Sequence, residues 1–405
     1  MSKLSKMFGA IFLSLFFVAC AAAADPGTAE PVATTDQPAT DPNGELSDTV
    51  TIGVLAPLTG ALAQFGVPVY NGINLYIDAF NEQGGLQIQL ISFDEEGSPT
   101  EAVLGYNWLI DQGMATLIGS VTSGSTLAVV PFANEDNMPM ISATSTHANV
   151  TVNADTGEVW HNVFRASFID PFQGEKMAEF ASEILEAQTA AILFNNETDY
   201  SIGLRDTFEA RAQELGIEIL TIEAFSNDTV DFVGQLTNIA AVNPDVLFIP
   251  AYAQDIALIG PQSVIAGLDT VMIGADGWDS AVFSLADPSS IEGSFFLSGF
   301  SAEDPTPIVY SFITRYEDRF GYVPNMFAAQ AYDAAMIMVA AVQQAILDGY
   351  TPNTDDFNNA VIANMAATDI YAVTGHITFD QYNNPQKTAF IIEIIDGDEI
   401  LWGTF

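Results

Sequence analysis

Only nine lysine and arginine residues stand against 52 acidic ones along these 405 residues, a formal net charge of −43. A surface so poor in cations repels the phosphates of nucleic acid and the anionic face of a membrane, so nucleic-acid partners are excluded. The same acid excess suits a protein that stays soluble in high salt, where screening shortens the repulsion. Equal stability with and without added salt would contradict that habitat. Cysteine is equally scarce. Cys20 is the only one, which excludes a disulfide within the chain and leaves carboxylates alone to build any metal site. His147, His161 and His376 fall at no metal-ligand spacing. There is no G-x-S-x-G, no P-loop and no H-E-x-x-H, and Gly113, Gly119 and Gly124 do not form a dinucleotide fingerprint. The chain reads as no enzyme and as needing no cofactor.

What is present begins with an export signal. Lys3 and Lys6 precede an apolar run from Met7 to Ala19, broken only by Gly9 and Ser14. The run is too short to span a bilayer as a helix, which takes about 20 residues. It ends in Phe17-Val18-Ala19-Cys20, which resembles a lipoprotein signal over residues 1–20, with Phe17 where leucine is usual. Residues 21–48, rich in Ala, Pro, Thr and Asp, read as a flexible tether behind a lipidated Cys20. The competing reading is ordinary cleavage within Ala21 to Ala24, which would release the protein.

From Thr49 the pattern becomes that of a folded protein. Hydrophobic residues make up 49% of the chain, enough for a sizeable core, and the length exceeds what one core normally supports. The β-rich run Val50 to Leu55 is followed by a helical pattern through Val69, Ile73, Ile77 and Phe80. Strand and helix then alternate through Leu86–Phe93, Pro99–Gln112, Ala115–Gly119, Gly124–Glu135 and Met140–Ser142. After a pause at 148–163, a second set of such units runs from Phe172 to Gly274. Two long helical patterns (Ile308–Phe320 and Phe327–Leu347), a third at Asp355–Ala366 and a β-rich tail (His376–Ile395) complete the chain. Such alternation predicts α/β architecture: two doubly wound parallel-sheet lobes joined by a multi-strand hinge.

Ligands of open α/β sheets sit at the carboxyl ends of strands, where helices begin. Two hydroxyl-rich loops lie there, Ser120 to Thr126 and Ser142 to His147, holding Ser123, Thr144, Ser145 and Thr146. Such residues commonly only cap helices. Two on successive strands, beside a helix N-terminus, also suit a carboxylate without any Lys or Arg. In the second half Asp276 follows strand Val271–Gly274, where it is either a turn residue in Asp-Gly or a partner for an ammonium. Tyr200 and Tyr252 also follow strands there and offer a hydroxyl with an apolar face. A carboxylate cradle on one lobe and an anion on the other would hold an α-amino acid between them.

From Val50 to the carboxyl terminus the chain resembles the leucine/isoleucine/valine-binding family of periplasmic receptors, with the type I periplasmic-binding fold. The resemblance rests on Ile52-Gly53-Val54-Leu55-Ala56-Pro57-Leu58-Thr59-Gly60, Ala63-Gln64-Phe65-Gly66 and Asn81-Glu82-Gln83-Gly84-Gly85. It continues in Phe93-Asp94-Glu95, Ile118-Gly119-Ser120, Asn162-Val163-Phe164-Arg165 and Gln330-Ala331-Tyr332-Asp333-Ala334. It implies that Ser123, Thr144 and Thr146 bind the α-carboxylate and help hold the ammonium. It implies that Asp276, one methylene shorter than the usual Glu, pairs with the ammonium, and that Phe65, Tyr200, Tyr252 and Phe327 close on the ligand. The family's frequent first-lobe disulfide has no counterpart here, and ligands vary widely among relatives. The implied organisation is a first lobe of residues 49–166 and 299–378 and a second of 167–298 and 379–405. The lobes would close about crossings near Arg165–Ser167, Leu297–Phe300 and Thr374–Asp380. The implied protein is a monomer that hands a small molecule to the membrane permease of an ABC transporter. The alternative on the same fold is an exported sensor that binds an amide or other small ligand and signals to a membrane partner.

Overall fold

The computed structural model describes residues 49–405. The signal segment, Cys20 and the tether through residue 48 lie outside the described residues.

The first sheet is built where the β-branched and apolar runs fall. Its early elements are β1 (Thr49–Ala56), α1 (Ala63–Asn81), β2 (Gln87–Asp94), α2 (Pro99–Asp111), β3 (Thr116–Ile118), α3 (Ser123–Glu135), β4 (Met140–Ser142) and β5 (Val163–Arg165). Ser98 caps α2 by accepting the Glu101 N–H at 3.4 Å, with Pro99 in the first turn. The five strands are parallel in the order β2-β1-β3-β4-β5. Ile52, Val54 and Leu55 of β1 are fully buried, as a central strand covered on both faces requires.

The chain then crosses to α4 (Asp170–Glu183) and the second sheet. There follow β6 (Thr189–Asn195), α5 (Asp199–Leu215), β7 (Glu218–Phe225), α6 (Val233–Val242), β8 (Val246–Phe248), α7 (Ala253–Ala266), β9 (Val271–Gly274) and β10 (Phe295–Ser298). Helices α8 (Pro307–Phe320), α9 (Met326–Leu347) and α10 (Asp355–Ala366) return to the first lobe. There α9 packs on α1, α10 and strands β3 and β4. This 22-residue helix is apolar enough to cross a membrane, yet it is mostly buried, as a core helix is. A separate antiparallel hairpin of β11 (Asp369–Ala372) and β12 (Gly375–Thr378) leads to β13 (Phe390–Ile395) and β14 (Asp398–Thr404) on the second sheet.

The second sheet runs β14-β13-β10-β9-β8-β6-β7. Its first five strands in chain order repeat the arrangement of the first sheet and are parallel. The expectation of wholly parallel lobes needs correction at its edge. Strands β13 and β14 join antiparallel, because a tight turn at Asp396 and Gly397 links them and no helical crossover intervenes.

The crossings between lobes are tied by buried polar groups. Arg165 is fully buried, and its guanidinium donates to the carbonyls of Ser145 (3.1 Å), His147 (2.9 Å) and Ala148 (3.3 Å) and to the Thr151 hydroxyl (3.2 Å). Burial pushes its pKa down to about 10, so it stays charged at neutral pH. Asp333 of α9 accepts the N–H groups of Val373 and Thr374, each at 2.8 Å, and so fixes the third crossing.

Candidate functional site

In this strand order the direction of winding reverses between β1 and β3 in one sheet and between β6 and β8 in the other. Each reversal opens a crevice at the strands' carboxyl ends. One cleft brings together residues from both, with Phe65, Thr122, Ser123, Thr144 and Thr146 from the first lobe and Tyr200, Tyr252 and Asp276 from the second. Phe327, at the start of α9, closes one side.

The hydroxyls of the first loop divide their work. Ser120 and Ser125 both donate to buried Glu95, the latter at 2.6 Å. Burial raises the Glu95 pKa, and these two bonds oppose the rise. Thr126 pairs with Ser145. Thr122 and Ser123 are left facing the cleft. Thr122 stands at the N-cap of α3 yet makes no side-chain capping bond, so the cleft is bordered by an uncapped helix N-terminus. Gly119, just before, has φ +144°, and a Cβ there would lie 2.6 Å from the Leu55 carbonyl oxygen, so only glycine lets the loop turn so close to β1.

The second loop bends at Ala143 and Thr144 directly after β4. Thr144 and Thr146 line the cleft, and the Thr144 hydroxyl donates to the Val121 carbonyl at 2.7 Å. Ser145 does not line it. Its hydroxyl is engaged by the scaffold, meeting Thr126 and the same Val121 carbonyl at 3.2 Å. Of the residues expected at the ligand, Ser145 is thus the one placed behind the cleft wall, bonded to the scaffold.

On the facing lobe Asp276 opens a single 3₁₀ turn directly after β9. Its Oδ1 accepts the Tyr200 hydroxyl at 2.8 Å and the Gln173 amide at 3.1 Å. Gln173 in turn accepts the Asp276 N–H at 3.0 Å, and the Tyr200 oxygen accepts the Gly277 N–H at 2.8 Å. Burial lifts the Asp276 pKa to about 7, against the pull of those hydrogen bonds. Burial likewise pushes the Tyr200 and Tyr252 hydroxyls up, so both stay neutral donors. The two rings stack at 4.8 Å and 7°, and Phe65 lies 5.4 Å from Tyr252 and 4.8 Å from Phe327. The cleft has a cavity volume of ≈ 20 Å³, about one water's worth. Admitting a small-molecule ligand larger than water requires the lobes or these rings to part.

Sequence reasoning passed over Asp170, Gln173 and Glu95. Asp170 is 1% exposed, and neither of its oxygens has a hydrogen-bond partner, although the Thr146 hydroxyl is near enough to favour its charge. Burial raises its pKa well above the carboxylate range, and the Asp276 charge adds to that. Its only sequence signal, Asp170-Pro171 at a helix start, is what any helix N-terminus shows. Glu95 lay inside the family-like Phe93-Asp94-Glu95 but carried no sign of its hydroxyl partners.

Two α/β lobes whose helix N-termini converge on one cleft, with a hydroxyl cradle opposite a buried acid, define a solute-binding protein. The sequence profile of the periplasmic binding protein family matches residues 49–398. The chain belongs to that family, in its leucine/isoleucine/valine-binding group, and is therefore an exported solute-binding protein. It is similar to a Leu/Ile/Val-binding protein of Rhizobium johnstonii, at 26% identity over 84% of this chain and 90% of the relative. A leucine binding protein from Thermotoga maritima superposes with a TM-score of 0.79 at 28% identity, covering 88% of this chain and 98% of its own. So does a branched-chain amino acid transporter substrate binding protein from Streptococcus pneumoniae in complex with isoleucine, at 0.79 and 26%, over 88% and 99%.

Proposed function

We propose that this chain captures an α-amino acid, branched-chain or related, between its lobes and delivers it to the permease of an ABC transporter. The observation that carries this is Asp276, buried and facing the hydroxyl cradle and uncapped N-terminus of α3 across one cleft. The α-carboxylate would sit on Ser123, Thr144, Thr146 and the free N–H groups of α3. The ammonium would sit on Asp276, which Tyr200 and Gln173 hold in place. The aromatic rings would cover an aliphatic side chain. The relatives named for leucine, isoleucine and valine support the ligand class, and the one named for a branched-chain amino acid transporter supports the permease.

Lobes of 49–166 with 299–378 and of 167–298 with 379–405 would close about the three crossings, each adding its own ligand contacts. A thermal-shift screen of amino acids and small amides tests the ligand, and a screen in which no amino acid raises the melting temperature defeats it. Small-angle scattering tests closure, since a tight binder that leaves the radius of gyration unchanged is incompatible with a hinge. Cys20 would anchor the mature protein to a membrane. Intact mass decides between a lipidated Cys20 and cleavage within Ala21 to Ala24.

A further inference from the structure

Beyond the Phe65 and Phe327 rings the same three segments line a second, larger cavity. Gln64 borders it beside Phe65, Met326 beside Phe327, and Asp279 three residues past Asp276. Its volume is ≈ 720 Å³, within the range of roughly 300–1,000 Å³ that small organic ligands occupy. Most of its wall is apolar, formed by Pro68, Phe296, Phe300, Val323, Ile392 and Leu401.

The polar part of the wall has one sign. Asp279 and Glu399 face the cavity together, Glu303 and Asp398 add negative charge, Tyr322 is the other titratable group, and no Lys, Arg or His lines it. The Asp279 oxygens are both engaged, one by the Met326 N–H at 3.2 Å and one by the Ser280 hydroxyl at 2.8 Å. Glu399 differs, since its Oε1 is buried without a hydrogen-bond partner, although the backbone N–H groups of Ser280 and Val282 lie near enough to favour the carboxylate's charge. Burial raises both acids, Asp279 to about 6 and Glu399 well above its ordinary value, and the Asp279 charge adds to the Glu399 shift. Two neighbouring buried carboxyls cannot both ionise cheaply unless a cation joins them. A metal ion suits this wall poorly, because among the described residues no three His, Cys, Asp or Glu converge on one point.

We infer that this cavity is a second binding site, for an organic cation with an apolar body, its ammonium against Glu399 and its body on the apolar wall. The site is completed by both lobes. Asp279, after β9, accepts the Met326 N–H at the start of α9, and the Asn325 amide donates to Ser280 at 3.2 Å. An occupant therefore touches both sides of the hinge and favours the closed arrangement.

The test is calorimetric titration with 2-phenylethylammonium in about 0.5 M NaCl, which screens the general pull of so acidic a chain. One-to-one binding is expected, and Glu399→Gln weakens it about tenfold or more, the cost of losing a charge-assisted contact. The neutral isostere 2-phenylethanol binds wild type about tenfold more weakly or worse on the same ground, a comparison that holds even if the variant folds poorly. Asp276→Ala, which removes the cleft's own acid, weakens amine binding far less than Glu399→Gln does, although Asp276 and Asp279 share one turn. Absence of amine binding overturns the inference. So does equal binding of the alcohol, or loss of binding in Asp276→Ala with Glu399→Gln unaffected. None of these outcomes depends on whether the cleft takes an amino acid.

Discussion

Asp276→Asn separates a binding role from a structural one, because the two effects have opposite signs. Asp276 is 2% exposed, and burial raises its pKa from 3.8 to about 7. An acid raised on folding contributes most below its unfolded pKa. That contribution is lost as pH climbs from about 4 to about 7, and above 7 the folded chain carries a buried charge costing roughly 4 kcal/mol. Asparagine removes the charge, and its oxygen can still accept from Tyr200 and Gln173. At pH 8 the variant should therefore melt at or above the wild-type temperature. Its affinity for an amino acid should fall steeply. Deleting one partner of a buried ion pair costs about 3–5 kcal/mol, a loss of roughly a hundred- to several thousand-fold. Denaturant melts at pH 5 and pH 8 with calorimetric titration at pH 8 make the comparison. Wild-type affinity in the variant refutes the ammonium role. Weaker binding accompanied by an equal loss of stability at pH 8 refutes the reasoning about charge.

The same acid sets a pH dependence. Asp276 must be ionised to hold an ammonium, so amino acid affinity should rise about tenfold between pH 6 and pH 8 and then level off. A flat titration series would count against it. Ser145→Ala should lower stability by about 1 kcal/mol, because the bonds of Ser145 to Thr126 and the Val121 carbonyl go while Thr126 keeps the Thr122 carbonyl, and affinity changes by no more than a few-fold. Urea melts and titration of the same preparation check both halves. Gly277→Ala should weaken both stability and binding. Its Cβ would stand 2.7 Å from the Tyr200 hydroxyl and 2.9 Å from the Ala251 carbonyl, forcing Tyr200 off Asp276 at a cost of about 1–3 kcal/mol.

The two-lobed frame was legible because continuous apolar strands and helical periods leave a strong mark. Strand Met140–Ser142, strand Val271–Gly274 and helix Asp355–Ala366 fall where their patterns put them. Strands β11 and β14 were missed for a physical reason. As edge segments carrying exposed residues such as Tyr371 and Trp402 they lack a buried run, though β14 does alternate. Most of the site was legible too, as hydroxyls and aromatics at the ends of strands. Ser145 shows the limit. A hydroxyl-rich loop reveals its composition, but which hydroxyls line the cleft depends on how the chain bends at Ala143 and Thr144 and which carbonyls it meets. Asp170 shows another limit, since burial alone makes it unusual, and burial comes from α4 folding back beneath Thr146.

The central claim is that one cleft reads both charges of an amino acid. Calorimetric titration of wild type at pH 8 with L-isoleucine and with 3-methylpentanoate, its analogue without the amino group, tests it directly. The account predicts saturable one-to-one binding of the amino acid and binding of the analogue weaker by about a hundredfold or more, since Asp276 would be left facing an alkyl chain. Equal affinity for the two, or tighter binding of the analogue, would contradict it.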